Sequence, residues 1–259
     1  PSEGPEPEDA AALAPEMLST GIDFITDEEL PADGAACPFE ARARAVMREV
    51  RAAADRQGRL PMVAFNITGD LDEMRRRHDL LVALGGSCLM VSLNSVGLAG
   101  VLGLRRHAAV PIHGHRNGWG YLSRHPALGW SFRAWQTIWR LAGVDHLHVN
   151  GLRNKFSESD DSVIDSARSL LEPFSARHPM RVMPVFSSGQ TGRQAHDTFA
   201  ALGCADLIHA AGGGIMAHPD GPAGGVQAMR EAWAAAMAGE ALAARAQRSA
   251  ALAAALPGW

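Results

Sequence analysis

The sequence predicts an α/β fold, a (β/α)8 TIM barrel from which strand one is absent, on the basis of three observations. Short apolar segments alternate with longer helical segments, which is typical of a parallel sheet covered by helices. Seven strand segments are found in the 259 residues, whereas a closed barrel has eight. The first segment is a helix, so we expect strand one upstream of Pro1. An open doubly wound sheet is the alternative, although no Gly-x-Gly-x-x-Gly follows an early strand.

The predicted strands are short apolar runs bounded by Gly, Pro, Asn or Asp. In chain order, strands two to eight are predicted over residues 22–25, 61–67, 87–93, 110–113, 144–149, 182–186 and 206–210. The helices are longer, and the one predicted over residues 70–84 shows the expected terminal signals, with Asp70 at its start and Gly85-Gly86 directly after its end. In chain order, helices are predicted over residues 6–20, 38–57, 70–84, 96–105, 131–142, 159–176, 191–202, 221–238 and 240–256. Trp135 and Trp139, one helical turn apart, are predicted to be core residues.

Composition excludes several classes of protein. A net charge of −4 and a pI near 6.3 argue against a nucleic-acid partner or a polybasic membrane surface. No apolar run reaches the roughly 18 residues that a transmembrane helix needs, and no signal-peptide pattern is found. The three cysteines have no metal-like spacing, which predicts reduced thiols and a cytoplasmic location.

Polar residues follow nearly every predicted strand. In a barrel the carboxyl ends of the strands form the face where reactive groups gather. The residues at these ends are Thr26 to Glu29, Asn66, Thr68, Asn94, His113, His115, Arg116, His146, His148, Asn150, Lys155, Ser187 to Gln190 and Gly212 to Gly214. Their recurrence at one end of the strands predicts an active site there, although single members of the set are compatible with core or solvated positions.

Lys155 is the only lysine of the chain and follows a His-x-His strand. Lysine carries a compact charge whose pKa a protein can move, which arginine cannot offer. Gly189 and Gly212 to Gly214 present bare backbone N–H groups near the starts of the last two predicted barrel helices, an arrangement that suits a phosphate. The acidic run from Asp27 to Glu29 offers oxygen ligands for a hard divalent cation.

These residues, in this order, resemble the barrel domain of the ribulose-bisphosphate carboxylase large-subunit superfamily, and more narrowly a RuBisCO-like protein. The resemblance covers nearly the whole chain, residues 1–259, as one domain. Its motifs are Gly21-Ile-Asp-Phe-Ile-Thr-Asp-Glu-Glu29, His113-Gly-His-Arg116, Gly143-Val-Asp-His-Leu-His148, Lys155 in a mobile loop, Ser187-Ser-Gly189 and Gly212-Gly-Gly-Ile-Met-Ala-His-Pro219. The resemblance implies an N-terminal α+β domain and an active-site lysine upstream of Pro1.

The resemblance also implies residue roles. Glu28 and Glu29 match metal ligands for Mg²⁺, and His115, Arg116 and His148 match contacts to substrate and phosphate. Lys155 matches the lysine that closes over the substrate. Ser188, Gly189, Gly212 and Gly213 match the polar and phosphate-binding groups that follow strands seven and eight. A homodimer or higher homo-oligomer is implied as well, because the family completes its active site with a partner subunit.

Departures from the family pattern change the expected reaction. Thr26 stands where the carboxylase has the lysine that becomes carbamylated, so Mg²⁺ binding is expected to be weakened or lost. Gln190 replaces a glycine and Trp119 replaces a further histidine. We therefore reject CO2 fixation on ribulose bisphosphate and expect enolate chemistry on a phosphorylated 3-oxo sugar acid, by decarboxylation or by transcarboxylation/hydrolysis.

Two alternatives from other classes stay open. One is an enolase or isomerase of a phosphorylated keto-sugar, of the methylthio-sugar salvage type. The other is a non-catalytic relative that binds a sugar phosphate or serves as a scaffold. Tight Mg²⁺ binding at Glu28 and Glu29 would favour an enzyme, whereas the absence of both metal and phosphate binding would favour the scaffold.

Overall fold

The computed structural model describes residues 7–27, 33–125, 127–156 and 158–259. The chain divides into two compact units. The first comprises Pro1–Leu147 with Met180–Val182, and the second His148–Pro179 with Met183–Trp259. Within the described residues, no helix is long and apolar enough to cross a bilayer.

Strands and helices alternate along the described chain as the sequence predicts. The strands are β1 (Phe24–Thr26), β2 (Met62–Asn66), β3 (Cys88–Ser92), β4 (Ile112–His115), β5 (His146–Asn150), β6 (Met183–Phe186) and β7 (Ile208–His209). The helices are α1 (Pro7–Ser19), α2 (Phe39–Gln57), α3 (Leu71–Ala83), α4 (Leu93–Arg105), α5 (Trp119–Ser123), α6 (Phe132–Leu141), α7 (Asp160–Leu171), α8 (Ala195–Leu202), α9 (Gly212–Met216), α10 (Gly221–Ala238), α11 (Leu242–Ala246) and α12 (Ala250–Ala255). A 3₁₀ turn, Gly192–Gln194, precedes α8.

In the first unit, strands β1 to β4 and the beginning of β5 form a parallel sheet in chain order. Every residue of β3 is buried, as expected for a parallel strand covered on both faces. Phe39, Phe65 and Met90 are among the fully buried side chains of this unit. The predicted core tryptophans Trp135 and Trp139 are 3% and 5% exposed, which confirms that prediction.

In the second unit, the end of β5 is followed by β6 and β7, and β6 and β7 pair in parallel through Val185 with Ile208 and Phe186 with His209. The Ser187 N–H donates to the Asn150 carbonyl at 3.1 Å, so the end of β5 is hydrogen-bonded to the residue after β6. A helical cluster around Ala232 and Leu252, both fully buried, forms the core beside them.

The helix predicted over residues 159–176 is wrong in its last turn, because α7 ends at Leu171. Pro173 explains the difference. A proline disfavours helical backbone in the residue before it, and Glu172 is extended with ψ 145°. Ser159 caps the other end and accepts a hydrogen bond from the Ser162 N–H.

The helix predicted over residues 240–256 is also wrong as a single element, since α11 and α12 replace it. Ser249, with φ −129° and ψ 102°, leaves the helical conformation and caps α12 by accepting the Leu252 N–H. Two short helices that the sequence analysis did not predict, α5 and α9, lie between predicted elements. Both begin at or beside glycine, which gives no apolar periodicity to detect.

Candidate active site

The second unit contains a structured loop, residues 150–156, which we name the lysine loop. It starts at Asn150, whose positive φ of 80° turns the chain out of β5. The Asn150 side-chain NH2 donates to the Glu158 carboxylate at 3.0 Å. The Asn154 NH2 donates to the carbonyls of Gly151 and Glu158, both at 3.0 Å. Side-chain amides therefore hold this loop in one conformation, as asparagine does in tight turns.

Lys155 lies against the segment that follows β6. Its backbone N–H donates to the Ser188 carbonyl at 3.3 Å. A Cβ atom added to Gly189 would lie 3.8 Å from the Lys155 Cβ. The structure thus brings together three residues that the sequence analysis placed in one site: Lys155, Ser188 and Gly189. Ser188 and Gly189 both have positive φ, 71° and 82°.

The Lys155 side chain is exposed, and its ammonium lies 5.6 Å from the centroid of the Phe156 ring. That distance suits a cation–π contact. The resemblance implies a lysine that closes over the substrate, and in this structure the Lys155 side chain is exposed to solvent. Its neighbour Phe156 is also exposed, at 59%.

His148 is buried on β5, and its Nδ1 is hydrogen-bonded to the Ser187 hydroxyl at 3.0 Å. The sequence analysis named Ser187 as a strand-end residue and as part of the Ser187-Ser-Gly189 motif, without giving it a role of its own. Its position directly after β6, the strand that follows β5 in the chain, is the signal by which the sequence included it. The hydroxyl fixes the orientation of the imidazole.

The predicted anion-binding glycines occupy two places in the second unit. Gly212 and Gly213 have no other atom within 4 Å of an added Cβ, so bare backbone adjoins open space there. Gly214 instead faces the Gln190 carbonyl, 3.1 Å from an added Cβ. The Trp259 indole N–H donates to the Gly214 carbonyl at 3.2 Å and steadies this turn.

In the first unit, His115 ends β4 and is half-buried. Its Nδ1 accepts a hydrogen bond from the Asn117 N–H at 3.1 Å, so the neutral imidazole carries its proton on Nε2. The adjacent Arg116 guanidinium lies 5.2 Å from the centroid of the Phe132 ring, a cation–π distance. Both side chains are therefore oriented by local contacts.

A network of side-chain amides in the first unit, which sequence reasoning missed, links the ends of β3 and β4. The Asn117 NH2 donates to the Ser92 hydroxyl at 2.9 Å, and the Asn94 NH2 donates to the Asn117 carbonyl at 2.8 Å. The Trp135 indole N–H donates to the Asn94 side-chain oxygen at 2.9 Å. Asn94 was noted only as a strand-end residue, and the bond to Trp135 spans 41 positions in the sequence.

The described residues after β1 do not form a Mg²⁺ site. Thr26 is exposed and offers a neutral hydroxyl. The Asp27 carboxylate is occupied by the Arg42 guanidinium at 3.0 Å and accepts the Asn66 N–H at 3.3 Å. The predicted ligands Glu28 and Glu29 lie outside the described residues.

His78, Asp79 and His107 of the first unit offer ligand atoms within 4.8 Å of one another. His107 Nε2 and His78 Nδ1 lie 2.6 and 2.9 Å from the same Asp79 oxygen. His78 Nε2 accepts the Ala109 N–H at 3.0 Å, so its proton is on Nδ1 and no lone pair faces the cluster. These histidine contacts lower the pKa of Asp79, and the cluster fits a side-chain hydrogen-bond network better than a metal centre.

His113 and His146 are buried on neighbouring strands of the first unit, with ring centroids 5.6 Å apart. Burial lowers the pKa of both imidazoles, and for His113 the neighbouring His146 lowers the pKa further. Phe24 packs on both rings, 5.2 and 5.7 Å between centroids. This pair therefore stays neutral near pH 7 and belongs to the apolar interior.

Comparison with known proteins matches residues 1–259 to the family described as ribulose bisphosphate carboxylase large chain, catalytic domain. A 3-oxo-isoapionate-4-phosphate transcarboxylase/hydrolase from Xanthobacter autotrophicus is 64% identical over 259 residues, covering 100% of this chain and 63% of that protein. A 3-oxo-isoapionate-4-phosphate decarboxylase from Rhizobium etli is 41% identical over 243 residues, covering 92% of this chain and 58% of that protein.

Among solved structures, a rubisco-like protein from Burkholderia fungorum superposes with a TM-score of 0.96 at 49% identity, covering 99% of this chain and 63% of that one. The predicted α/β barrel fold is thereby confirmed. The chain spans less than two thirds of the length of these relatives.

Proposed function

Because this chain belongs to the ribulose bisphosphate carboxylase large-chain family as a RuBisCO-like protein, we propose that it acts on 3-oxo-isoapionate 4-phosphate as a transcarboxylase/hydrolase. The 64% identity to the Xanthobacter enzyme extends over the whole chain and supports this choice of substrate. The observation that carries the proposal is the contact between the lysine loop and the Ser188–Gly189 segment, which holds the backbone of Lys155 against a candidate phosphate-binding segment.

The substrate class explains why an ammonium is useful. In a 3-oxo acid the carboxylate is β to the ketone, so breaking its bond to carbon pushes the electron pair toward the carbonyl and gives an enolate. A cation placed at the enolate oxygen lowers the barrier, by about 3–4 kcal/mol if it resembles one oxyanion donor. We assign that role to Lys155, whose backbone is held in place by the hydrogen bond to the Ser188 carbonyl.

The remaining roles are proposed from the family match. His148, fixed by Ser187, is assigned to proton transfer. His115, with its proton on Nε2, is assigned as a donor to substrate oxygen. Arg116, Ser188, Gly189, Gly212 and Gly213 are assigned to the phosphate and polar groups of the substrate. At Gly212 and Gly213 the backbone N–H groups lie beside open space, which suits the binding of a phosphate group.

Decarboxylation is the second candidate, because the Rhizobium relatives carry that name. Labelling the substrate carboxyl carbon separates the two reactions. A decarboxylase releases the label as CO2, whereas a transcarboxylase transfers it to a non-volatile product. The keto-sugar enolase or isomerase and the non-catalytic scaffold are tested in the same assay, since neither converts the labelled 3-oxo acid.

The proposal also covers the metal ion, the oligomeric state and the cellular location of the protein. We expect Mg²⁺, where it binds, to be held by Glu28 and Glu29 without a carbamate, because Thr26 has no amine. A homo-oligomer is proposed, in line with dimeric and octameric Rubisco neighbours of known structure. A cytoplasmic location is proposed from the cysteine pattern of the sequence. The deciding experiment is turnover of 3-oxo-isoapionate 4-phosphate by the full-length protein with and without Mg²⁺, and no conversion in either condition would contradict the proposed function.

A further inference from the structure

Gln190 directly follows the Ser188–Gly189 segment, and its side chain turns back toward the lysine loop. It is 2% exposed, so the polar amide is held inside the second unit. Its NH2 donates to the Leu152 carbonyl at 3.1 Å, across 38 positions of sequence. Since a carbonyl can only accept, this bond fixes which way the amide faces.

The contact between Gln190 and the lysine loop is closest at Gly151. A Cβ atom added to Gly151 would lie 2.1 Å from Gln190 Cδ and 2.5 Å from the Ser187 carbonyl oxygen. No other residue fits at that position without displacing the glutamine. The lysine loop therefore packs directly against the Gln190 side chain, and this contact requires a glycine at position 151.

A second hydrogen bond joins the same two segments, from the Lys155 N–H to the Ser188 carbonyl at 3.3 Å. The glutamine bond lies three residues earlier in the loop, at Leu152. Because the two hydrogen bonds are made at different points of the loop, the loop cannot rotate away about either bond alone. The lysine and the candidate phosphate segment are thus fastened to each other at two points.

From these contacts we infer that Gln190 is a positioning residue that clamps the lysine loop onto the Ser188–Gly189 segment. Its consequence for catalysis rests on the proposed function: a phosphate group bound at Ser188 and Gly189 would have the Lys155 backbone already in place. Gln190 itself acts through the loop and does not touch the reacting atoms.

Lys155 is the single lysine of residues 1–259, so a lysine-specific cut in this part of the protein reports directly on the clamp. Lysyl endopeptidase, added to the native full-length protein, reports how often the loop opens, with the cut after Lys155 identified by fragment mass. Gln190→Met keeps the volume and loses the donor, and Gln190→Glu sets a carboxylate against the Leu152 carbonyl. We expect cleavage to speed up about threefold to tenfold in Gln190→Met, the effect of one lost hydrogen bond, and more in Gln190→Glu.

Gln136→Met is the matched control, because Gln136 is also a buried glutamine, 1% exposed, but lies in α6 of the first unit. It is expected to leave the cleavage rate at Lys155 unchanged. Equal rates in wild type and Gln190→Met would overturn the clamp. If the variants do not fold, hydrogen exchange of the wild type decides: the Lys155 amide should be protected like the Ser187 amide, and free exchange would overturn the inference.

Kinetics then test the catalytic consequence. Gln190→Met is expected to lower kcat about tenfold with little change in KM, because the lysine is misplaced while the phosphate contacts stay. An unchanged kcat would show that the clamp does not position Lys155. If the wild type itself does not convert the substrate, the proposed function fails, and the protease rates still decide whether the clamp exists.

Discussion

The guanidinium of Arg42 lies 3.0 Å from the carboxylate of Asp27, and both side chains are largely buried, at 5% and 12% exposure. Arg42 comes from α2 and Asp27 from the residue after β1, so the pair joins a helix to a strand end. Arg42 also donates to the Cys37 carbonyl at 2.9 Å. The Asp27 carboxylate, which directly follows Thr26 in the chain, thus has a structural role in this ion pair.

Arg42→Met is therefore expected to lower the free energy of unfolding by about 3–5 kcal/mol, because it leaves the Asp27 carboxylate buried without its partner. Urea denaturation monitored by circular dichroism measures the change. Arg44→Met in the same helix is the control, because Arg44 pairs with Glu40 on the exposed face and should cost about 0.5 kcal/mol or less. Equal losses in the two variants would contradict a special role of the buried pair.

The order of strands and helices was predictable because each element carries a local signal. The run Val144–Val149 is short and alternates apolar and polar residues, and Asp70 caps α3 by accepting the N–H groups of Asp72 and Glu73. The break between α11 and α12 was missed, since an alanine-rich stretch keeps helical propensity on both sides of Ser249.

The candidate site was predictable only in part. Lys155 stood out by its uniqueness and Gly189 by its bare backbone, so sequence alone placed both in one site. The bond from Gln190 to Leu152 joins residues 38 positions apart, and no periodicity links them. Such pairs are set by how the strands bring loops together, which composition and spacing do not encode.

Lys155→Met is expected to lower kcat about a hundredfold to a thousandfold on 3-oxo-isoapionate 4-phosphate, because the enolate loses its cation. Lys155→Arg restores charge but not the compact ammonium, so it should recover only part of the rate. Steady-state kinetics of both variants measure the effect. Phe156→Leu is the control for packing, since Phe156 contributes an exposed ring next to the ammonium. A Lys155→Met enzyme with wild-type kcat would remove Lys155 from the mechanism.

Binding of Mg²⁺ is expected to be independent of CO2 in the wild-type protein, because the hydroxyl of Thr26 cannot form a carbamate. Thr26→Lys supplies an amine at the end of β1 and should make Mg²⁺ affinity rise with CO2. Isothermal titration with Mg²⁺, in buffers with and without bicarbonate, measures both proteins. Glu28→Gln is the control for the ligand assignment and should weaken binding in either buffer. A CO2-dependent affinity in the wild type would refute the assigned role of Thr26.

His209 is expected to make the protein less stable as the pH falls below 6.5. Its Nε2–H donates to the Thr191 carbonyl at 3.1 Å, and burial lowers its pKa to about 4 from the ordinary 6.5. Between those two values the unfolded chain binds one more proton than the folded one. The free energy of unfolding therefore decreases as the pH decreases, by up to about 1.36 kcal/mol per pH unit. His209→Gln keeps a donor for Thr191 and should flatten this slope in urea unfolding curves measured from pH 7 to pH 5. The exposed His178→Gln serves as control and should leave the slope unchanged, whereas equal slopes in His209→Gln and wild type would show that His209 does not resist protonation.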